Sequence, residues 1–141
     1  MASHREPAIG VRLWPQAYAV ARLRAVPRLP ELPPGGPPTA LIVGHDEVSL
    51  VGPEEVVASV AGDGDRVAGG FRALTLDAVF PLGTVGVLAA VSRAFAEVGV
   101  PVMVISSHDT DHFLVPEASL GRALAALNQA PLGRFLAAPP S

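Results

Sequence analysis

The chain has 141 residues, half of them hydrophobic and 16% charged, with a formal net charge of −3. That is enough apolar material for one domain, or for two small subdomains sharing a core, and too much for wholesale disorder. Cysteine is absent and all ten basic residues are arginine, which closes thiol nucleophiles, disulfides, thiolate metal sites, P-loop and Schiff-base lysines together. The arginines run from Arg5 to Arg134 without forming a stripe, so nucleic acid is not an expected partner. The first residues hold no apolar stretch of the signal-peptide kind, and no window approaches the roughly 18 apolar residues of a membrane span. The expectation is a soluble, cytoplasmic protein that makes no membrane contact.

Residues 1–10 and 133–141 read as loose tails. Tyr18–Leu23 has the β-favouring start of a strand. Six prolines in the twelve residues Pro27–Pro38 forbid a regular helix or a central strand and predict a rigid surface connection. Thr39–Gly44 and Val48–Gly52 flank His45-Asp46-Glu47 with the spacing of a β-hairpin, which leaves His45 a solvated loop residue. Pro53-Glu54-Glu55 suits a helix N-terminus, but Gly62-Asp63-Gly64-Asp65 stops it within a turn or two. Trp14 reads as a packing residue beside the first strand.

The second half is patterned more strongly. Phe71–Asp77 alternates as a half-buried strand does, with Phe71, Ala73 and Thr75 on one face and Arg72, Leu74 and Leu76 on the other. From Thr84 to Val98 the spacing of Leu88, Val91, Phe95 and Val98 predicts a helix, which Gly99 ends. Pro101–Ser106 is a nearly continuous apolar run, as a central strand would be. A polar heptad, Ser106-Ser107-His108-Asp109-Thr110-Asp111-His112, separates it from the strand Phe113–Val115. Pro116-Glu117 then opens a helix whose buried face is marked by Leu120, Leu124 and Leu127. The order β-α-β-β-α is that of a split βαβ, ferredoxin-like α+β layout with helices on one side of an antiparallel sheet.

The heptad admits several chemistries. As a metal cluster for a metal-dependent hydrolase, His108 to His112 lacks a second histidine at Thr110 and lacks distant ligands, since the remaining histidines are His4 and His45. Neighbouring side chains on an extended segment also point to opposite faces. A Ser-His-Asp nucleophile built from adjacent residues is poor geometry, and no Gly-x-Ser-x-Gly elbow is present. An ordinary polar turn, with Asp and Ser or Thr bonding the backbone, is the plain alternative.

The neighbour of the heptad in this layout favours a small ligand. Pro81-Leu82-Gly83-Thr84-Val85-Gly86-Val87 leads into the first long helix, where glycines let backbone approach a ligand and free N–H groups point outward. In a βαββ unit this helix start lies beside the strand end at Ser106. A carboxylate would meet the positive end of the helix, while Asp109 or Asp111 accepts from an ammonium and Ser107 or Thr110 adds hydrogen bonds. The pair of walls is complementary to a zwitterion.

Gly86 to Glu117, with its Gly-Val-Leu helix start, its Ile-Ser-Ser strand ending and its Thr-Asp-His-Phe-Leu-Val-Pro-Glu run, resembles an ACT domain. More narrowly it resembles the subtype of small bacterial tandem-ACT proteins, aspartokinase regulatory regions and the CASTOR arginine sensors of animals. The resemblance implies a ferredoxin-like βαββαβ fold in two tandem ACT-like halves, residues 11–68 as the diverged half and 69–132 as the well-formed one, with helices packed on antiparallel sheet. It implies a regulatory, non-catalytic protein that needs no cofactor and binds a small-molecule amino acid between ACT units; without a ligand it would be an interaction or dimerisation module for a protein partner the sequence does not name. The implied contacts are Gly83, Thr84, Val85, Gly86 and Val87 at the helix start and Ser107, His108, Thr110 and Asp111 at the turn. Pro101 and Val102 would come from a second copy, which makes a homodimer the expected assembly. Thr84 stands where the arginine sensors have a glutamate, and His108 and Thr110 where they have phenylalanines, so a smaller or more polar amino acid than arginine is implied. Asp111 is retained and is assigned the ammonium group.

Overall fold

The structure, a computed structural model, describes residues 9–135. In chain order it contains β1 (Gly10–Leu23), β2 (Ala40–Val43), β3 (Val48–Pro53), α1 (Glu54–Val60), β4 (Arg66–Asp77), α2 (Val87–Glu97), β5 (Met103–Ser106), β6 (Asp111–Pro116) and α3 (Leu120–Gln129), with 3-10 turns at Glu117–Ser119 and Leu132–Phe135. The class is α+β, with helices and antiparallel strand pairs. The chain divides into two compact units, residues 14–73 and, among those described, residues 9–13 with 74–135. Strands β1 and β4 each contribute to both.

In the unit of residues 14–73 the strand order is β2-β3-β1-β4. The expected hairpin forms, with Val43 opposite Val48 and Ala40 opposite Val51, and β3 pairs antiparallel with β1 from Tyr18 opposite Pro53 to Leu23 opposite Val48. Ala19, Ala21, Leu23, Leu50 and Val57 make a small core against which Leu29, Leu41 and Val48 pack. The proline-rich segment is held by the fully buried Tyr18, whose hydroxyl donates to the Pro38 carbonyl at 2.6 Å. Burial pushes the Tyr18 hydroxyl pKa up. Helix α1 is the short helix expected after Pro53, and the Glu54 carboxylate accepts from the Gly70 amide at 2.9 Å.

Two strands are longer than their sequences suggest. β1 begins at Gly10 rather than Tyr18 because it runs through Pro15, whose missing N–H reads as a break. β4 begins at Arg66 rather than Phe71 because it passes Gly69 and Gly70, the latter at φ +82°. At Gly69 an added Cβ would lie 2.8 Å from the Glu54 carboxylate oxygen, so a larger residue there would push that side chain off the Gly70 amide it accepts from. Of the two tails expected from sequence, residues 1–8 and 136–141 lie outside the described residues. Ile9 and Phe135, both expected in the tails, pack on the core.

In the other unit the order is β1-β4-β6-β5. β5 and β6 are antiparallel, from Met103 opposite Leu114 to Ser106 opposite Asp111. The core joins Leu74 and Leu76 of β4, Val87, Val91 and Phe95 of α2, Phe113 and Val115 of β6, and Ala123 and Leu127 of α3. Phe95 and Phe113 meet edge to face with centroids 6.0 Å apart, the arrangement the ring quadrupoles favour. The buried stripe of α2 is therefore Val87-Val91-Phe95, while Leu88 and Val98, expected inside, are 45% and 38% exposed. The helix also starts at Val87, not Thr84. It ends as its glycine foretells: Gly99 sits at φ +69°, its amide bonds the Ala96 carbonyl, and the buried Val100 amide bonds Phe95, a Schellman closure.

Replacing Tyr18 by Phe removes the donor to Pro38 while keeping the ring. Urea unfolding is expected to show a loss of about 0.5–1.5 kcal/mol with an unchanged slope. A wild-type midpoint would mean that the proline-rich segment is not held by this bond.

Candidate functional site

The start of α2 and the turn after β5 form the two walls of one cleft of about 310 Å³, within the unit of residues 74–135. On the first wall, the Thr84 amide bonds the Pro81 carbonyl at 2.9 Å, which closes a turn, and Gly86 takes φ +104° to enter the helix. The Ala90 amide bonds the Gly86 carbonyl at 3.0 Å. The first amides of a helix have no partner within it, and here no side chain caps them and no acidic residue occupies the first turn. Its positive φ favours glycine at Gly86, and a Cβ there would also lie a tight 3.0 Å from Phe135 Cε1.

The second wall is tied down by backbone. The Phe80 amide donates to the Asp109 carbonyl at 2.7 Å, the Thr110 hydroxyl to the Leu76 carbonyl at 2.7 Å, and the Ser107 amide to the Thr110 carbonyl at 2.9 Å. Asp111 opens β6 opposite Ser106, whose hydroxyl donates to its carboxylate at 2.6 Å. His108 turns outward to Asp109 at 2.8 Å, both well exposed. Carboxylates on one side and helix amides on the other give the cleft a negative and a positive end.

His112 lies beneath the turn, half-buried. Ser107 Oγ donates to the Thr110 carbonyl at 3.0 Å, so at its 3.0 Å contact with His112 Nε2 it accepts, and Nδ1 then accepts from Thr75 Oγ1 at 2.8 Å. That assignment, made from the network, is a neutral imidazole with both nitrogens used. Burial lowers the His112 pKa from the ordinary 6.5, and Asp111 opposes the shift.

Of the residues expected at the site, Thr84, Gly86, Val87, Ser107, His108, Thr110 and Asp111 line the cleft. Gly83 and Val85 do not: the Pro81–Thr84 turn leaves Val85 87% exposed. Pro101 and Val102 precede β5 and lie outside this cleft. The cleft also takes in Phe80, Pro81, Leu82, Leu88, Ala89, Ser106 and Asp109. Leu88 was hidden by its helical spacing with Val91 and Phe95. Ser106 and Asp109 carried the signal of the heptad itself. Among the described residues no group of three or more His, Asp or Glu side chains is placed to hold a metal ion, because His108 and His112 point to opposite sides of the turn.

Residues 66–129 match the family model of the ACT domain, and that stretch of the chain is an ACT domain. Among solved structures, a protein from Agobacterium tumefaciens is 25% identical with a TM-score of 0.68, covering 86% of this chain and 87% of its own. A Vibrio cholerae protein of unknown function is 21% identical, TM-score 0.63, with 84% and 87% covered. The ligand-free regulatory subunit of aspartate kinase from Thermus thermophilus is 16% identical, TM-score 0.56, with 87% and 98% covered. These last two likenesses are of fold. No curated protein sequence matches significantly. Among the described residues no helix is long and apolar enough to cross a membrane.

Between the lowered folded pKa of His112 and 6.5, the unfolded chain binds a proton that the folded one does not, so stability rises with pH across that window and falls as pH drops through it. Chemical unfolding at a series of pH values is expected to show this loss, and His112→Gln to flatten it. An equal slope in the variant would assign the proton to another group.

Proposed function

We propose that the chain is a non-catalytic regulatory protein that binds a small amino acid in the cleft between α2 and the Ser106–Asp111 turn. The observation that carries this reading is the opposition of an uncapped helix start to a carboxylate-bearing turn across one cleft. The helix amides suit an α-carboxylate. Asp111 suits the ammonium, with Ser107 and Thr110 adding hydrogen bonds beside it. Thr84 and Leu88 leave little charge for a long cationic side chain. The fold shared with the aspartate kinase regulatory subunit supports a regulatory role.

The site also lacks a nucleophile's machinery. Ser107 meets His112, but the far nitrogen of that ring faces Thr75 rather than a carboxylate, so the ring anchors the turn instead of activating the serine. We further propose two ACT-like halves, 11–68 and 69–132. The order β2-β3-β1-β4 in one unit repeats the order β5-β6-β4-β1 in the other, with the proline-rich segment where a first helix would stand. β5 ends its strand order, and its Met103 is 37% exposed, which supports association with a second copy that brings Pro101 and Val102 to the ligand. A cytoplasmic setting fits a sensor of free amino acids.

A thermal-shift panel of the common amino acids tests this. A true ligand at a hundred times its Kd is expected to stabilise the fold by about 2.7 kcal/mol. Asp111→Asn, which keeps an acceptor for Ser106 but loses the charge, is expected to abolish the shift while leaving the unliganded melting temperature near wild type. No shift with any amino acid at millimolar concentration, or a full shift in Asp111→Asn, would count against the assignment.

A further inference from the structure

Three of the ten arginines converge on a second cavity, in the unit of residues 14–73 and apart from the cleft just described. Arg22 lies at the end of β1, Arg24 follows in the bend just after it, and Arg66 opens the neighbouring β4. Together with Asp46 and Gly64 they line a space of about 330 Å³. Among the described residues no hydrogen bond joins these guanidiniums to a carboxylate, although the Arg24 charge acts on Asp65. Arg22 Nη2 donates to the Asp46 main-chain carbonyl at 2.9 Å, not to its carboxylate. Both oxygens of Asp65, the nearest loop acid, accept from backbone: the Arg24 amide at 2.8 Å and the Gly62 amide at 2.9 Å. Glu47 is engaged by the Ser49 hydroxyl. The Asp46 carboxylate, 88% exposed, sits 3.8 Å from His45. The ion pairs His45–Asp46, Arg93–Glu97 and His108–Asp109 do not involve the three arginines.

The cluster is also shaped. Gly64 has φ +85°, and a Cβ there would fall 2.8 Å from both Arg24 Cδ and Arg24 Nη1. The loop between α1 and β4 thus carries glycine where the Arg24 side chain crosses it. Three like charges drawn together repel one another, and the acids beside them are engaged elsewhere in part: Asp46 faces His45, and Asp65, which also feels the Arg24 charge, accepts from two backbone amides. Planar guanidiniums bind tetrahedral oxyanions through paired N–H donors.

We propose that Arg22, Arg24 and Arg66 form a binding site for a small, multiply charged oxyanion of the phosphate class, distinct from the amino-acid cleft. The cavity holds one such group. The acids at its rim, Asp46 among them, disfavour a long polyanion such as nucleic acid.

The test is calorimetric titration of the full chain with inorganic pyrophosphate and with orthophosphate, at constant ionic strength. Saturable binding of one pyrophosphate per chain is expected, tighter than orthophosphate because more N–H donors are used. Arg66→Gln is expected to weaken it by roughly ten- to a hundredfold, the loss of one charge-assisted contact, while the melting temperature without anion stays at the wild-type value. Arg93→Gln, an exposed arginine on α2, is expected to bind as wild type. The proposal is overturned by absence of saturable binding at millimolar anion, by undiminished binding in Arg66→Gln, which would put the anion elsewhere, including the start of α2, or by equal losses in Arg66→Gln and Arg93→Gln, which would mean general charge screening.

Discussion

The amide of Phe80 donates to the carbonyl of Asp109 at 2.7 Å, and the geometry of the cleft depends on this bond. Phe80 begins the connection from β4 to α2, and Asp109 is the tip of the turn between β5 and β6. Joining them fixes the distance between a helix start and a carboxylate-bearing turn that are otherwise separated by an entire helix and strand. The Thr110 hydroxyl on the Leu76 carbonyl makes the same connection a second time. Burial of Phe80 itself, 8% exposed within the core of Val87, Val91 and Phe113, ties that polar join to the packed interior. The walls of the cleft are therefore held by backbone and core, which leaves the Asp111 carboxylate and the first amides of α2 with capacity for a ligand.

This division of labour explains why the histidines of the heptad act so differently. His108, well exposed at the cleft's edge, bonds its neighbour Asp109. His112, five residues from Ser107 in sequence terms but adjacent to it in space, spans from the turn to Thr75 on β4. A one-residue step along β6 separates Asp111 from His112, and the alternation of a strand sends the first to the Ser106 side and the second toward Thr75. The same alternation that prevents both from sharing a ligand lets one line the cleft while the other braces it. A proton on His112 Nδ1 would displace the Thr75 donor, so the brace is built for the neutral ring that its burial favours.

What the sequence made legible follows from the range of the forces involved. The β-α-β-β-α order of the second half, the Gly99 stop and the meeting of helix start and heptad were all readable, because strong periodicity and glycine placement are local signals. The extent of β1 and β4 was not. Pro15 and the pair Gly69-Gly70 are breakers by local propensity, and only neighbours from elsewhere in the chain, such as Glu54 on the Gly70 amide, make those positions tolerable in a strand. Leu88 illustrates the opposite error: its spacing from Val91 and Phe95 is helical, but three positions at that period do not say which edge of the stripe faces a cleft. Val87, one residue earlier, takes the core position instead. Arg22, Arg24 and Arg66 were invisible as a group because forty residues separate the members that the β1–β4 neighbourhood unites.

The two units place their polar chemistry by one device used twice. In each, a glycine at positive φ lies where an extended or helical element is entered: Gly86 before α2 and Gly64 before β4. In each, a large side chain lies within 3.0 Å of the place a Cβ would take, the Phe135 ring at Gly86 and the Arg24 side chain at Gly64. A left-handed residue turns the backbone sharply without a side chain of its own, so a partner from another part of the chain can occupy the space. At Gly86 the occupant is apolar and the turn presents helix amides. At Gly64 the occupant is a cation, and the turn presents charge. Substituting either glycine by alanine strains the backbone, and the added Cβ presses on the Phe135 ring at Gly86 and shifts the Arg24 side chain at Gly64, whereas around the exposed Gly62 and Gly83 it meets nothing within 4 Å.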